Sequence, residues 1–233
     1  MYKRQGQIVG LIGPNGAGKT TLIDAVTGLV SASHGRISID GEDITSWGAS
    51  RRAQRGIRRS FQSLELFEDL TVLENIMAGA DEVTGYSWLT DLVWPKNRPL
   101  TQSAVAAVTE FRLTDRLEEL PPALSYGERR LLAIARAAAS GPPLLLLDEP
   151  AAGLDETQSR ELGTLIRRLA EERGMGILLV EHDVGLVMST CDRVVVIDFG
   201  ETIADGGPDE VRNNERVITA YLGERELQKT GPA

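Results

Sequence analysis

Positive charge is what this 233-residue sequence is short of: 25 Lys and Arg stand against 34 Asp and Glu, a formal net charge of −9. The pI is near 4.9, so nucleic-acid binding gets no electrostatic support. Cysteine is nearly absent. The single residue, Cys191, excludes an internal disulfide framework, fits a reducing compartment and reads as a small buried apolar side chain. Long apolar runs are missing too. The longest, residues 144–147 and 177–180, are strand-sized, far below the roughly 18 residues of a spanning helix. The run Ile8–Ile12, behind Lys3 and Arg4, is too short and too soon broken by glycine for a signal peptide. These absences imply a soluble chain whose membrane role, if any, comes through a partner. The remaining balance, 42% hydrophobic and 25% charged, suits one domain or one domain with a sizeable insertion.

The order of patterns predicts an α/β fold. A strand over Ile8–Ile12 leads through a glycine-rich turn into a helix from Lys19 to Leu29. Residues 35–41 alternate like an antiparallel strand that ends in a tight turn. From Ser63 to Leu124 the texture changes. Thr71 is placed to cap a helix carrying Val72, Leu73, Ile76 and Met77. A stretch with Gly85, Trp88, Trp94, Pro95 and Pro99 interrupts it, and a second helical run covers 101–113. Then helix 127–139, strand 144–147, helix 157–173, strand 177–180, helix 184–188 and strand Arg193–Asp198 follow in turn. Continuous apolar strands between helices indicate a parallel sheet buried on both faces. The division expected is a core of residues 1–62 and 125–233 with a mostly helical insertion at 63–124. The tail from Glu224 is polar and expected to fray.

Gly13-Pro14-Asn15-Gly16-Ala17-Gly18-Lys19-Thr20, followed by Thr21, fits the complete phosphate-loop pattern between an apolar strand and a helix. Glycines let backbone N–H groups converge on phosphate oxygens, and the helix start favours the anion. Lys19 then reaches the outer phosphates, and the Thr20 hydroxyl ligates Mg²⁺. Leu144-Leu145-Leu146-Leu147-Asp148-Glu149-Pro150 sets two adjacent carboxylates at the end of a buried strand, the edge where open α/β sheets bind ligands. Asp148 is the candidate for the Mg²⁺ shell and Glu149 for the general base that polarises water. An isolated Asp-Glu pair would more often be solvated loop. Behind a phosphate loop it becomes specific.

Leu124-Ser125-Tyr126-Gly127-Glu128, standing in fixed order with the phosphate loop, the acid pair and three further segments, resembles the signature motif of the ATP-binding-cassette family, a likeness that runs over essentially the whole chain. Gln62 looks like the Q-loop, Ala152-Gly153-Leu154-Asp155 like the D-loop, and His182 in Val180-Glu181-His182-Asp183 like the switch histidine. Singly, Gln62 is an ordinary loop residue, His182 a structural histidine and Ser125 a helix cap; order and spacing together defeat those readings. The resemblance implies an ATPase in which two subunits sandwich two ATP molecules, each between one phosphate loop and the opposite signature. Ser125 and the Gly127 backbone would meet the γ-phosphate in trans, with Tyr126 and Glu128 beside them. His182 would meet it in cis, Gln62 would sense Mg²⁺ and water, and Asp155 would communicate across the dimer.

Within the family the sequence is most similar to the longer ATPase subunit of branched-chain amino-acid uptake systems. That similarity rests on residues 124–127, on Asp148-Glu149-Pro150-Ala151-Ala152-Gly153-Leu154, on residues 181–188 and on 217–224. It implies a second, shorter ATPase, two membrane permeases and a solute-binding protein as partners, on the inner face of the cell membrane. Lipopolysaccharide-export ATPases share similar motifs and form the rival reading; a non-transport ATPase or a scaffold without turnover is the third. The sequence departs from the family at Tyr126 and Glu128, where the usual signature has Gly and Gln. It also departs at the start, where members carry an earlier strand pair with an adenine-stacking aromatic. Tyr2 is too close to Gly13 for that role, so weakened base stacking is expected, with phosphate and Mg²⁺ contacts retained.

Overall fold

At the centre of the molecule lies β1 (Ile8–Ile12), buried at every residue. It pairs in parallel with β6 (Gly176–Val180) on one side and β7 (Arg193–Asp198) on the other. Beyond β6 come β5 (Leu144–Asp148) and β4 (Ile57–Ser60), also parallel. Beyond β7 comes one antiparallel edge strand, β8 (Glu201–Gly206), giving the order β4-β5-β6-β1-β7-β8. The computed structural model that shows this describes residues 6–61, 63–80 and 102–221. Tyr2, Gln62, Trp88, Trp94 and the tail from Glu224, all singled out in the sequence, lie outside the described residues.

Strand pleating sends alternate side chains to opposite faces. Ile8, Ile12, Leu145, Leu147, Ile177, Leu179, Val194 and Val196 join one core cluster. Val9, Leu11, Leu146, Leu178, Val180, Val195 and Ile197 join the other. The larger cluster is closed by α5 (Tyr126–Ala138), α6 (Glu156–Arg173) and α7 (Val184–Thr190), through Leu132, Leu162, Ile166 and Val187. The same cluster runs on into α3 (Val72–Ala80) and α4 (Gln102–Glu110), with Ile76, Ala107 and Phe111 inside it. Thr71 caps α3 as its sequence suggests, its Oγ1 accepting from Glu74 N while Glu74 accepts from Thr71 N.

The smaller cluster lies under α1 (Lys19–Thr27) and a hairpin. That hairpin is shorter than the alternation at 35–41 implies: β2 (Ser38–Ile39) pairs with β3 (Glu42–Asp43) across a tight turn. Helix α2 (Ala49–Gln54) ties it down through Arg52, a side chain only 1% exposed. Its guanidinium donates to the carbonyls of Ala25 and Val26 at the end of α1, and of Thr45 and Trp47 just after the hairpin. A cation at the last carbonyls of a helix also satisfies its dipole. The sequence reading missed α2, β4, β8 and the short α8 (Pro208–Arg212). Cys191 is buried, and desolvation pushes its thiol up to about 12, in line with an inert packing residue.

Candidate functional site

Every parallel strand presents its carboxyl end to the same edge of the sheet. The loop after β1 holds residues 13–18, β5 ends at Asp148, and His182 follows β6. Because β5, β6 and β1 are neighbours, three sequence-distant motifs converge there without any contact between them in the chain.

The loop is braced from behind by the β7–β8 turn, where Gly200 N donates to the Ala17 carbonyl at 2.9 Å. Gly13 is compelled by close approach: a Cβ there would lie 2.0 Å from the Ile197 carbonyl oxygen. Lys19 is buried, and its ammonium donates to the carbonyls of Gly13 (2.8 Å) and Pro14 (3.0 Å), inside the loop it would use to reach a phosphate. Thr20 and Thr21 are exposed on the first turn of α1. That turn has no acidic residue and no side-chain cap, the kind of helix start that suits an anion. Asn15 and Gly16 form the exposed crest of the loop.

Asp148 is 5% exposed, and its Oδ2 accepts from Arg59 at 2.6 Å. Glu149 sits in the left-handed region at φ 49, a conformation costly for a residue with a Cβ, and is fixed there by its N–H to the Val180 carbonyl at 2.8 Å. Its carboxylate Oε1 lies 2.5 Å from Nε2 of His182. The structure therefore joins the candidate base and the candidate switch histidine directly. Among the described residues no three His, Cys, Asp or Glu form a metal cluster. A hydroxyl at Thr20 and one carboxylate at Asp148 fit a Mg²⁺ that is completed by a nucleotide's phosphates rather than by a protein cage.

Glu181 is a residue whose part the sequence did not reveal. It is 3% exposed and accepts from the backbone N–H of Ala151 (2.7 Å), His182 (3.1 Å) and Asp183. It thus holds the turn after Glu149 against the turn bearing His182. Desolvation, partly offset by those hydrogen bonds, raises its pKa above the usual carboxylate value. Arg59 is the other such residue. Its sequence neighbourhood, Ile57-Arg58-Arg59-Ser60, gives no sign of a buried strand.

Ser125, Tyr126, Gly127 and Glu128 form a second group, attached to residues 152–158. Ser125 caps α5 in a reciprocal box: its Oγ accepts from Glu128 N, while Glu128 Oε2 accepts from Ser125 N at 2.8 Å and from Ser125 Oγ at 2.7 Å. Those bonds hold the Glu128 carboxyl below its usual range. Tyr126 reaches the D-loop, its hydroxyl donating to the Ala152 carbonyl at 3.2 Å and accepting from Arg130 at 2.7 Å. Gly153, at φ 79, has no room for a side chain because a Cβ would meet the Tyr126 ring at 2.8 Å. The tyrosine that departs from the expected motif is thus a strut between signature and D-loop. Asp155 caps α6, accepting from Gln158 N at 2.8 Å. A cavity of about 270 Å³ opens beside this group, lined in part by Ser125, Glu128, Leu154 and Gln158.

This arrangement has close counterparts. The family model described as ABC transporter matches residues 1–152, and a model for the branched-chain amino acid ATP-binding cassette transporter matches residues 201–226. The high-affinity branched-chain amino acid transport ATP-binding protein BraF of Pseudomonas aeruginosa is 39% identical over 223 residues, 94% of this chain and 88% of that protein. The lipopolysaccharide export system ATP-binding protein LptB of Haemophilus influenzae is 41% identical over 219 residues, 94% of this chain and 87% of that one. A solved nucleotide-free ATP-binding cassette from an ABC transporter superposes with a TM-score of 0.81 at 28% identity, covering 95% of this chain and 90% of that one. An ADP-conformation cassette does so with the same score at 29% identity, covering 94% and 89%. Strand ends that gather a phosphate loop, paired acids and a histidine, with these likenesses along nearly the full length, place the chain in the ATP-binding-cassette transporter family, as one of its ATPase subunits.

Proposed function

We propose that this chain is the motor of an importer for branched-chain amino acids or related small solutes, acting from the cytoplasmic face of the membrane. The observation that carries the catalytic reading is the 2.5 Å contact between Glu149 and His182, beside the phosphate loop and the Asp148 carboxylate. The match of residues 201–226 to the branched-chain model favours this cargo class over lipopolysaccharide export, despite the similar identity to both relatives.

In this reading the backbone of residues 13–18 cradles the β- and γ-phosphates, Lys19 turns from its own loop carbonyls to them, and Thr20 and Asp148 hold the Mg²⁺ shell. Bound Mg²⁺ would neutralise charge on the phosphate oxygens. Glu149 accepts the proton of the attacking water as general base. His182, already at hydrogen-bond distance from Glu149, orients that carboxylate and reaches the γ-phosphate. Gln62 relays the state of the site to residues 63–124, which contact the permeases. From a second ATPase subunit, the equivalents of Ser125 and Gly127 complete the site in trans, and Asp155 lines the shared interface. Two permeases and a solute-binding protein complete the assembly. ATP favours the closed pair and hydrolysis reopens it, a shift between two populated states.

The test compares wild type with Glu149→Gln for Mg-ATP binding and for ATP-dependent association by size exclusion with light scattering. Binding with association of the variant supports the reading. Binding without association points to an obligate partner ATPase, and absence of binding in both forms overturns the nucleotide site.

A further inference from the structure

The metal-side carboxylate belongs to an ion triad whose other two members the mechanism above leaves unused. Arg59 stands on β4 in register with Leu146 of β5, its side chain 7% exposed. One guanidinium nitrogen donates to Oδ2 of Asp148 at 2.6 Å and the other to Oδ1 of Asp24, on α1, at 2.5 Å. The Phe61 ring covers the guanidinium at 4.7 Å. Two carboxylates share one cation, so the triad carries a single net negative charge. Asp148 and Arg59 are equally shielded, while Asp24 is partly exposed.

The fork is divided between two carboxylates, one nitrogen to each, so Asp148 receives a single directed N–H bond at Oδ2 from a guanidinium whose own orientation Asp24 holds. Held by Oδ2, Asp148 has Oδ1 left for a cation or for water in its shell. A carboxylate confined to one oxygen suits a small cation that demands octahedral geometry. A larger cation takes more oxygens and accepts both from one carboxylate. Partners of this kind behind a metal ligand commonly decide affinity and selectivity.

The geometry points to Arg59 as a positioning residue that makes Asp148 a one-oxygen partner for the nucleotide's metal, and so sets the preference for Mg²⁺ over Ca²⁺. The inference rests on the nucleotide-site reading given above. It also explains why an arginine occurs in a buried stretch of β4, where an apolar residue would pack more cheaply.

The test is ADP affinity by calorimetry in chelator, in Mg²⁺ and in Ca²⁺, for the full chain, Arg59→Met, and Arg59→Met combined with Asp24→Asn. The single variant leaves the shielded Asp148 and the partly exposed Asp24 without their cation and risks unfolding. The double variant keeps the wild-type net charge of the triad but frees Oδ2. In it, the Mg²⁺-to-Ca²⁺ ratio of ADP affinities should fall about ten-fold, while affinity in chelator stays within about two-fold. A ratio unchanged in the double variant overturns the proposal. So does a ratio that shifts in the single variant and returns in the double, since charge rather than orientation would then be at work. If the wild-type chain binds no ADP in any condition, the nucleotide site itself falls, and this inference with it.

Discussion

In the proposed mechanism two helix starts carry the chemistry, and they are prepared in opposite ways. The first turn of α1 has no capping side chain and no acid, and it hangs from a strand paired on both sides. The first turn of α5 is closed by its own Ser125 and Glu128, and it is tied to the neighbouring loop by Tyr126 and to Arg116 through Glu128. An uncapped helix end on a rigid strand is a standing anion site. A self-capped end must loosen a carboxylate before its serine is released to an outside phosphate. On the proposed mechanism the difference would separate binding from closure: the phosphate loop is ready in one subunit, whereas the signature would have a local contact to exchange when a second subunit arrives.

Substitutions should separate the two starts. Glu149→Gln should lower turnover by roughly 10²–10⁴-fold with ATP still bound, the range for loss of a general base; turnover within a few-fold of wild type would remove Glu149 from that role. Gly13→Ala, which drives a Cβ into the Ile197 carbonyl, should weaken nucleotide binding by about ten-fold or more, as expected of overpacking by 1–3 kcal/mol. Calorimetry that found normal affinity would mean the loop tolerates displacement. Ser125→Ala should act on the other start alone. It removes a cap worth about 1 kcal/mol and should cut ATP-driven association while nucleotide affinity of the isolated subunit holds. Equal losses in both assays would erase the distinction drawn here. Tyr126→Phe deletes the hydroxyl bridging Ala152 and Arg130 and should cost about 1 kcal/mol in urea unfolding, with no change at the phosphate loop.

A pH series reaches the turn between the two groups. Glu181 has a folded-state pKa raised above its ordinary 4.5, so the fold holds its proton more tightly than the unfolded chain does. Its contribution to stability is therefore fully present below about 4.5 and is lost as pH rises through the raised value. Glu181→Gln should flatten that decline when urea midpoints are compared across the window. An unchanged slope would assign the decline to another group.

How much of this could be read beforehand depended on burial. The strands β1, β5, β6 and β7 announced themselves because both faces are covered, which leaves uninterrupted apolar runs. The phosphate loop and the Asp148-Glu149 pair were legible because backbone geometry and metal chemistry admit few residue types. Strand β4 was not legible. It is an edge strand, and Arg58 and Arg59 leave it for the Ala53 carbonyl and for Asp24 and Asp148, so charges stand where apolar residues were sought. Helix α2 hid for the same reason, its central Arg52 being buried against carbonyls. β8 is another edge, with only one buried residue. Glu181 lay inside a recognised motif, yet its partners are backbone N–H groups, which leave no trace in side-chain spacing.

The position of β1 also bears on how the protein is made. Ile8 pairs with Ile177 and Val9 with Arg193, and the Ile8 N–H is closed by Asp192, 184 residues away. During synthesis the strand that carries the phosphate loop has no neighbour to pair with until most of the chain has emerged. Its apolar residues must wait in a nascent polypeptide, and such long-range closure is slow. Nucleotide is therefore expected to act on the finished fold and not on its early stages, and protection of β1 should appear only after β6 and β7 have left the ribosome.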